Sequence, residues 1–178
     1  MQEYPVNLKI DYPESSDRLT AVFRLILVIP IVIILALIST YAEALSFAIA
    51  MMILFKEKYP KWWFDWNIGI TKFAYRIVAY VFLMRDEYPS TDDDQSVHLT
   101  IPYPDVKQDL TRWMPLVKWI LVIPHIIALI IIFIGVVLGT ILAIIAILFT
   151  GKYPTAIFRF NEGLLRWSLR VSAFALLL

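Results

Sequence analysis

Ile26-Leu27-Val28-Ile29-Pro30 recurs unchanged as Ile120-Leu121-Val122-Ile123-Pro124, 94 residues later, and self-similarity at a fixed offset is the first thing that constrains an architecture. The same offset returns Arg24 as Lys118, Ile53-Leu54-Phe55 as Ile147-Leu148-Phe149, and Lys58-Tyr59-Pro60 as Lys152-Tyr153-Pro154. It also returns Phe64, Asn67, Gly69, Arg76 and Ala79 as Phe158, Asn161, Gly163, Arg170 and Ala173. Upstream the offset shortens to 91, and Val6, Leu8, Ile10 and Tyr12-Pro13 reappear as Val97, Leu99, Ile101 and Tyr103-Pro104. Chance matching of two greasy segments explains shared Ile and Leu but not matched Tyr-Pro, Asn, Gly and Arg. The chain reads as two tandem repeats, 1–90 and 91–178, the second opening on an acidic linker.

Composition sets the solvent. Of 178 residues 60% are hydrophobic and 17% charged, against roughly 45–50% and about 25% in an ordinary soluble domain. The excess lies in long runs, Leu25 to Ile38, Ala44 to Phe55 and Ile120 to Phe149, the last without a charge. That is the pattern of a bilayer protein. A net charge of +1 is too small for a nucleic-acid surface. The lack of cysteine excludes disulfides, thiolate metal sites and cysteine nucleophiles. Met1 to Thr20 is polar and lacks the three-part pattern of a signal peptide, so the first apolar run is expected to stay as an anchor.

Each repeat reads alike. Val6-Asn7-Leu8-Lys9-Ile10 and Val97-His98-Leu99-Thr100-Ile101 alternate with the period of a half-buried strand, and a two-fold along the membrane normal would let them pair antiparallel. A long apolar segment follows, then Lys-Tyr-Pro, then a helix with a narrow polar face, about 61–84 and about 155–178. The apolar segments, about 22–55 and about 116–149, exceed the roughly 20 residues of one span. Two arrangements satisfy them: hairpins turning near Ser39 to Glu43 and near Gly135 to Gly139, or single tilted spans from which the next segment returns. Hairpins put Lys9, Arg18, Lys56, Lys58, Lys61, Arg85, Lys107, Arg112 and Lys152 on one side, as the charge rule for cytoplasmic loops prefers. The expected fold is therefore an all-α multi-pass protein of a cell (inner) membrane with a short strand before each transmembrane hairpin, an amphipathic interfacial helix after it, and both termini cytoplasmic. Six of the ten prolines follow tyrosine and are read as boundary markers, proline stopping helices and tyrosine bridging apolar and wet layers.

Ile10-Asp11-Tyr12-Pro13-Glu14, Arg18-Leu19-Thr20, Val28-Ile29-Pro30, Phe149-Thr150-Gly151-Lys152-Tyr153-Pro154 and Leu165-Arg166-Trp167-Ser168-Leu169-Arg170 together resemble a prokaryotic membrane family, domain of unknown function 4389. Both repeats match it. The first departs from the pattern, with Lys56-Glu57 for Thr-Gly and Thr71-Lys72-Phe73 for Leu-Arg-Trp. The resemblance implies a membrane location and lends no activity.

Few residues point to chemistry. His125 follows Pro124 in an apolar helix; a membrane histidine can ligate a haem or chlorophyll or relay protons, but no second His or nearby carboxylate accompanies it. It is a weak candidate, and no cofactor or metal is expected. His98 is read as solvated, Glu43 as a turn residue, and Asp92-Asp93-Asp94 as a linker, since it lacks the glycine and distal glutamate of a calcium loop. A basic stripe of Arg159, Arg166 and Arg170, with Lys72 and Arg76 in the first repeat, is the best binding candidate, suited to lipid phosphates or a partner's carboxylates; snorkelling alone explains it equally. No nucleophile with a base and no phosphate loop is present. The expectation is a non-enzymatic accessory or scaffolding subunit of a membrane complex, or a lipid-interacting protein, with membrane lipids and other membrane subunits as partners. The alternatives are a small transporter or channel, drawing on Ser39, Thr40, Ser46 and Thr140, and a cofactor-carrying subunit using His125.

Overall fold

The protein's structure, a computed structural model, describes residues 5–56, 60–103 and 114–175. Among them run β1 (Asn7–Ile10), α1 (Arg18–Leu27), α2 (Ile29–Lys56), α3 (Lys61–Val81), β2 (Val97–Thr100), α4 (Met114–Thr150) and α5 (Thr155–Ala175).

Alternation makes the strands. Val6, Leu8 and Ile10 are buried, as are Val97, Leu99 and Ile101, while Asn7, Lys9, His98 and Thr100 face outward. The two strands pair antiparallel with Leu8 opposite Leu99, as the two-fold anticipates. Those leucines are equivalent positions of the two repeats, so a pseudo-two-fold axis passes between them. The strands are also exchanged: β1 of the first repeat lies on α5 of the second, and β2 lies on α3 of the first. Tyr12 meets Phe158 edge-on with ring centres 5.0 Å apart, and its equivalent Tyr103 meets Phe64 in the same way at 5.0 Å. Under the sheet Trp63, Phe64, Phe158, Leu165 and Leu169 form the main core with Val136, Ala143 and Ile147 of α4.

The expected hairpins inside the apolar runs are not there. α2 is one helix of 28 residues and α4 one of 37. Gly135 and Gly139 lie four apart in α4 and serve close approach instead of a turn: a Cβ on Gly135 would meet the Phe160 ring at 3.4 Å, and one on Gly139 would meet Ile157 Cγ2 at 3.2 Å. Glycines at that spacing let two helices come together. At the other expected turn Thr40 Oγ1 donates to the Ala36 carbonyl at 2.9 Å, satisfying the hydroxyl within the helix; the Glu43 and Ser46 side chains lie outside the described part. The reversal comes one element later. α5 runs back along α4, from Gly139 beside Ile157 to Trp119, whose indole N–H donates to the Ala175 carbonyl at 3.0 Å. α3 packs likewise on the start of α2, with Val28 and Ile31 against Phe73, Ile77 and Tyr80. Each repeat is thus an apolar helix with its amphipathic helix folded onto it, and the turn that put both ends of each apolar run on one side is gone. Lys58, Lys107 and Arg112, which that topology counted, lie outside the described residues.

The ends are set locally. Asp17 caps α1, its carboxylate accepting from the Leu19 amide at 2.9 Å. Gly151 closes α4 in the left-handed region at φ +70°, where a side chain is strained, and its carbonyl accepts from Ser16 at 3.0 Å.

Replacing Gly139 by Leu is expected to destabilise the fold by about 1–3 kcal/mol through overpacking against Ile157. Gly163, with nothing within 4 Å of a new Cβ, should instead gain about 0.5–1 kcal/mol on substitution by Ala. Denaturant unfolding followed by circular dichroism of the two variants measures both, and equal effects would contradict the packing assigned to Gly139.

Candidate functional site

The basic stripe does not converge on one site. Arg166 Nε donates to the Leu8 carbonyl at 3.0 Å and its guanidinium pairs with Glu162 at 3.1 Å, while the Ile10 amide donates to Glu162 at 3.2 Å. The pair therefore clamps the outer edge of β1, satisfying backbone groups that an edge strand leaves open. Its counterparts in the first repeat are Ile68 and Lys72, and Lys72 is exposed. Arg159 borders a groove with Lys9, Asp11 and Glu162, in which two positive and two negative groups balance. Arg76 Nη1 donates to the Ser90 carbonyl at 2.6 Å. Arg170 is half-buried on the wall of a cavity described below.

A residue that sequence reasoning treated only as a repeat match is the most buried cation among the described residues. Arg24 is 1% exposed; its guanidinium donates to the carbonyls of Tyr80 (3.2 Å) and Arg85 (2.9 Å) and to Thr20 Oγ1 (3.2 Å), pairs with Asp86, and lies 4.5 Å from the Tyr80 ring centre. A buried charge is tolerable only when paired and hydrogen-bonded to this extent. Lys118, its equivalent, lies 5.0 Å from the Phe174 ring centre, and Phe174 is the equivalent of Tyr80. The readable signal was a basic residue at the same place in two apolar runs.

Beside Arg24 the inter-repeat linker is tied to β2. Glu87 pairs with Arg85 and accepts from the Ser96 amide at 3.2 Å and from the Ser96 hydroxyl. Burial pushes this carboxyl up, but the hydrogen bonds from Ser96 and Arg85 outweigh it and hold it below its usual value of 4.5. On the outer face Asp11 bonds His98 at 3.0 Å and lies 3.5 Å from Lys9, and the His98 bond holds its carboxyl below the usual range. His98 is thus half of a pair across the sheet and not simply solvated. Between α4 and α5 the Tyr153 hydroxyl donates to the Phe82 carbonyl at 3.1 Å and accepts from Asn161 at 3.0 Å. Burial pushes that phenol up to about 12.

His125 stands edge-on to Trp167, ring centres 6.4 Å apart. Both line a largely apolar cavity of about 450 Å³ between α4 and α5, which Arg170 and Phe174 also border. Among the described residues no three His, Asp or Glu side chains gather as a metal site. Thr140, a residue considered for a transport path, donates to the Val136 carbonyl of its own helix at 2.8 Å.

Residues 18–91 and 112–178 each match the model of a family described as Domain of unknown function (DUF4389). No curated protein and no solved structure matches the chain.

Replacing Arg24 by Met should cost about 1–3 kcal/mol, since it takes the guanidinium donor from the Tyr80 and Arg85 carbonyls, while the partly exposed Asp86 keeps its bond from the Asp17 amide; Lys, the residue at 118, should cost less. Glu87 stabilises the fold at pH above its unfolded value and stops doing so as pH falls through its lowered folded value. Unfolding free energy should therefore drop below about pH 4.5, and Glu87→Gln should flatten that drop in a pH series of denaturant melts.

Proposed function

Because the chain belongs, in two tandem copies, to the family described as Domain of unknown function (DUF4389), whose description carries no activity, we propose a function from its surface: a non-enzymatic integral membrane protein that acts as an accessory or scaffolding subunit. One observation carries this reading. Lys118–Thr150 is 33 residues long with mean hydropathy 3.2, long and apolar enough to cross a membrane, and only 17% of its most apolar window is buried. A core helix of a soluble protein would be mostly covered. Here Ile120, Ile130, Ile131, Ile134 and Phe149 are 61–81% exposed, and leaving each in water costs about 1.5–3 kcal/mol relative to burial. Lipid, or the apolar face of a partner subunit, removes that cost.

At about 1.5 Å per residue the segment is about 50 Å long, more than the roughly 30 Å hydrocarbon core, so it tilts or extends past the boundary. The bent pair Arg18–Arg24 with Ile29–Thr40, at 49°, is a second stretch of sufficient apolarity. The sheet's outward face, with Asn7, Lys9, His98 and Thr100, lies outside the hydrocarbon in this reading. The site geometry supports structural work: Arg166, Glu162 and Glu87 hold the two repeats together, and Arg24 ties α1 to the end of α3 within the first.

Two measurements test the proposal. The protein should stay with membranes through alkaline extraction, and Ile130→Lys or Ile134→Lys should impair insertion by about 2.5–3.5 kcal/mol; a helix facing water would accept lysine at these exposed positions without loss. Gentle purification from native membranes should bring down a stoichiometric set of partner subunits. An isolated homo-oligomer that carries ions across liposomes would overturn the subunit role.

A further inference from the structure

The two edges of the sheet are finished differently. Glu162 accepts from the Ile10 amide and Arg166 donates to the Leu8 carbonyl, so these backbone groups of β1 point away from β2 and are held by α5. Inward and outward pairing alternates along an antiparallel ladder, and Leu8 stands opposite Leu99, Ile10 opposite Val97. The amides and carbonyls of Val97 and Leu99 therefore point away from β1, toward the other edge. Among the described residues they have no partner on that side. α3 lies on β2 as α5 lies on β1, and the Tyr103–Phe64 and Tyr12–Phe158 contacts, both at 5.0 Å, fix the correspondence. Where α5 carries Glu162 and Arg166, however, α3 carries Ile68 and Lys72. Isoleucine has no acceptor to offer an amide, and Lys72 is exposed. An edge left in this state is a template for a further strand.

We propose that the outer edge of β2 is an interface with a second copy of this chain, the two β2 strands pairing antiparallel so that the sheet runs β1-β2-β2-β1. The occupant follows from what β2 already pairs with. β1 places Val6, Leu8 and Ile10 on the buried face, and β2 places Val97, Leu99 and Ile101 there, so the inner edge of β2 is filled by a strand of its own pattern. A second β2 is another such strand. Centred on Leu99, the pairing sets Val97 against Ile101 of the second copy, buried face with buried face. It sets His98 against Thr100, both exposed, and brings no like charges opposite each other. Pro102, which has no amide hydrogen, ends the strand. A two-fold perpendicular to the sheet relates the copies and runs parallel to the pseudo-two-fold between Leu8 and Leu99. Under the membrane location proposed above, both copies then cross the bilayer in the same sense.

The chain contains no cysteine, so introduced thiols report this contact without background. His98 and Thr100 of the two copies would face each other at a position outside the hydrogen-bonded pairs, where Cα atoms are about 4.5 Å apart, a separation that a disulfide spans. Differently tagged full chains carrying His98→Cys and Thr100→Cys are co-expressed, and their membranes are oxidised with copper phenanthroline. A mixed disulfide dimer is expected. Asn7→Cys with Lys9→Cys, the matching pair on the clamped strand, should give none. Ile68→Glu with Lys72→Arg, which transplants the clamp onto β2, should abolish the mixed dimer while circular dichroism shows the fold kept. Val97→Pro, which removes an outward amide and spares the ladder to β1, should abolish it as well. Absence of the mixed disulfide, an equal yield on the clamped strand, or a dimer that survives both variants would overturn the interface. So would a disulfide from His98→Cys to a different protein. Release of the disulfide-linked dimer by alkaline extraction would overturn the membrane location alone.

Discussion

Leu8 facing Leu99 across two antiparallel strands is the contact from which the rest of the molecule is arranged. It sets equivalent residues of the two repeats on one axis, and the exchange of strands follows from it: β1 reaches α5 and β2 reaches α3. Neither repeat then has a complete core, because the sheet that covers each amphipathic helix is supplied by the other copy. The matched Tyr12–Phe158 and Tyr103–Phe64 contacts show how closely the symmetry holds.

Within that symmetry the copies have diverged where polar groups are buried. The shared Ile-Leu-Val-Ile-Pro segment is bent in the first repeat and continuous in the second, so the segment itself does not decide the bend. What differs beside it is Arg24, drawn into the end of α3 and the following loop, against Lys118 over Phe174. The Glu162–Arg166 clamp on β1 likewise has no counterpart at Ile68 and Lys72. Tertiary partners outweigh local preference at such places.

The repeats, the strands and even their pairing were legible, because alternation and an internal match are local patterns that survive without coordinates. The helical periodicity of α5 also placed Arg166 on its polar face, the side from which it reaches the Leu8 carbonyl. What periodicity lacks is the identity of the neighbour: the face suited to phosphate meets β1 instead. Gly135 and Gly139 were misread for a related reason. A glycine pair in an apolar run marks either a turn or a close approach, and only Ile157 and Phe160 on the facing helix distinguish them. The cavity at His125 was visible only as a lone histidine, because its far wall, Trp167 and Val171, comes from the facing helix.

Strand exchange also bears on how such a chain is made. The side chains that clamp β1, Glu162 and Arg166, lie 152 and 158 residues beyond the backbone groups they hold. A ribosome must deliver nearly all of the described chain before the first strand meets them, and contacts of such separation form late. During that interval β1 carries an unpaired edge, a known invitation to wrong pairing. Its short length and outward Asn7 and Lys9 blunt the hazard while the nascent chain waits for its other half.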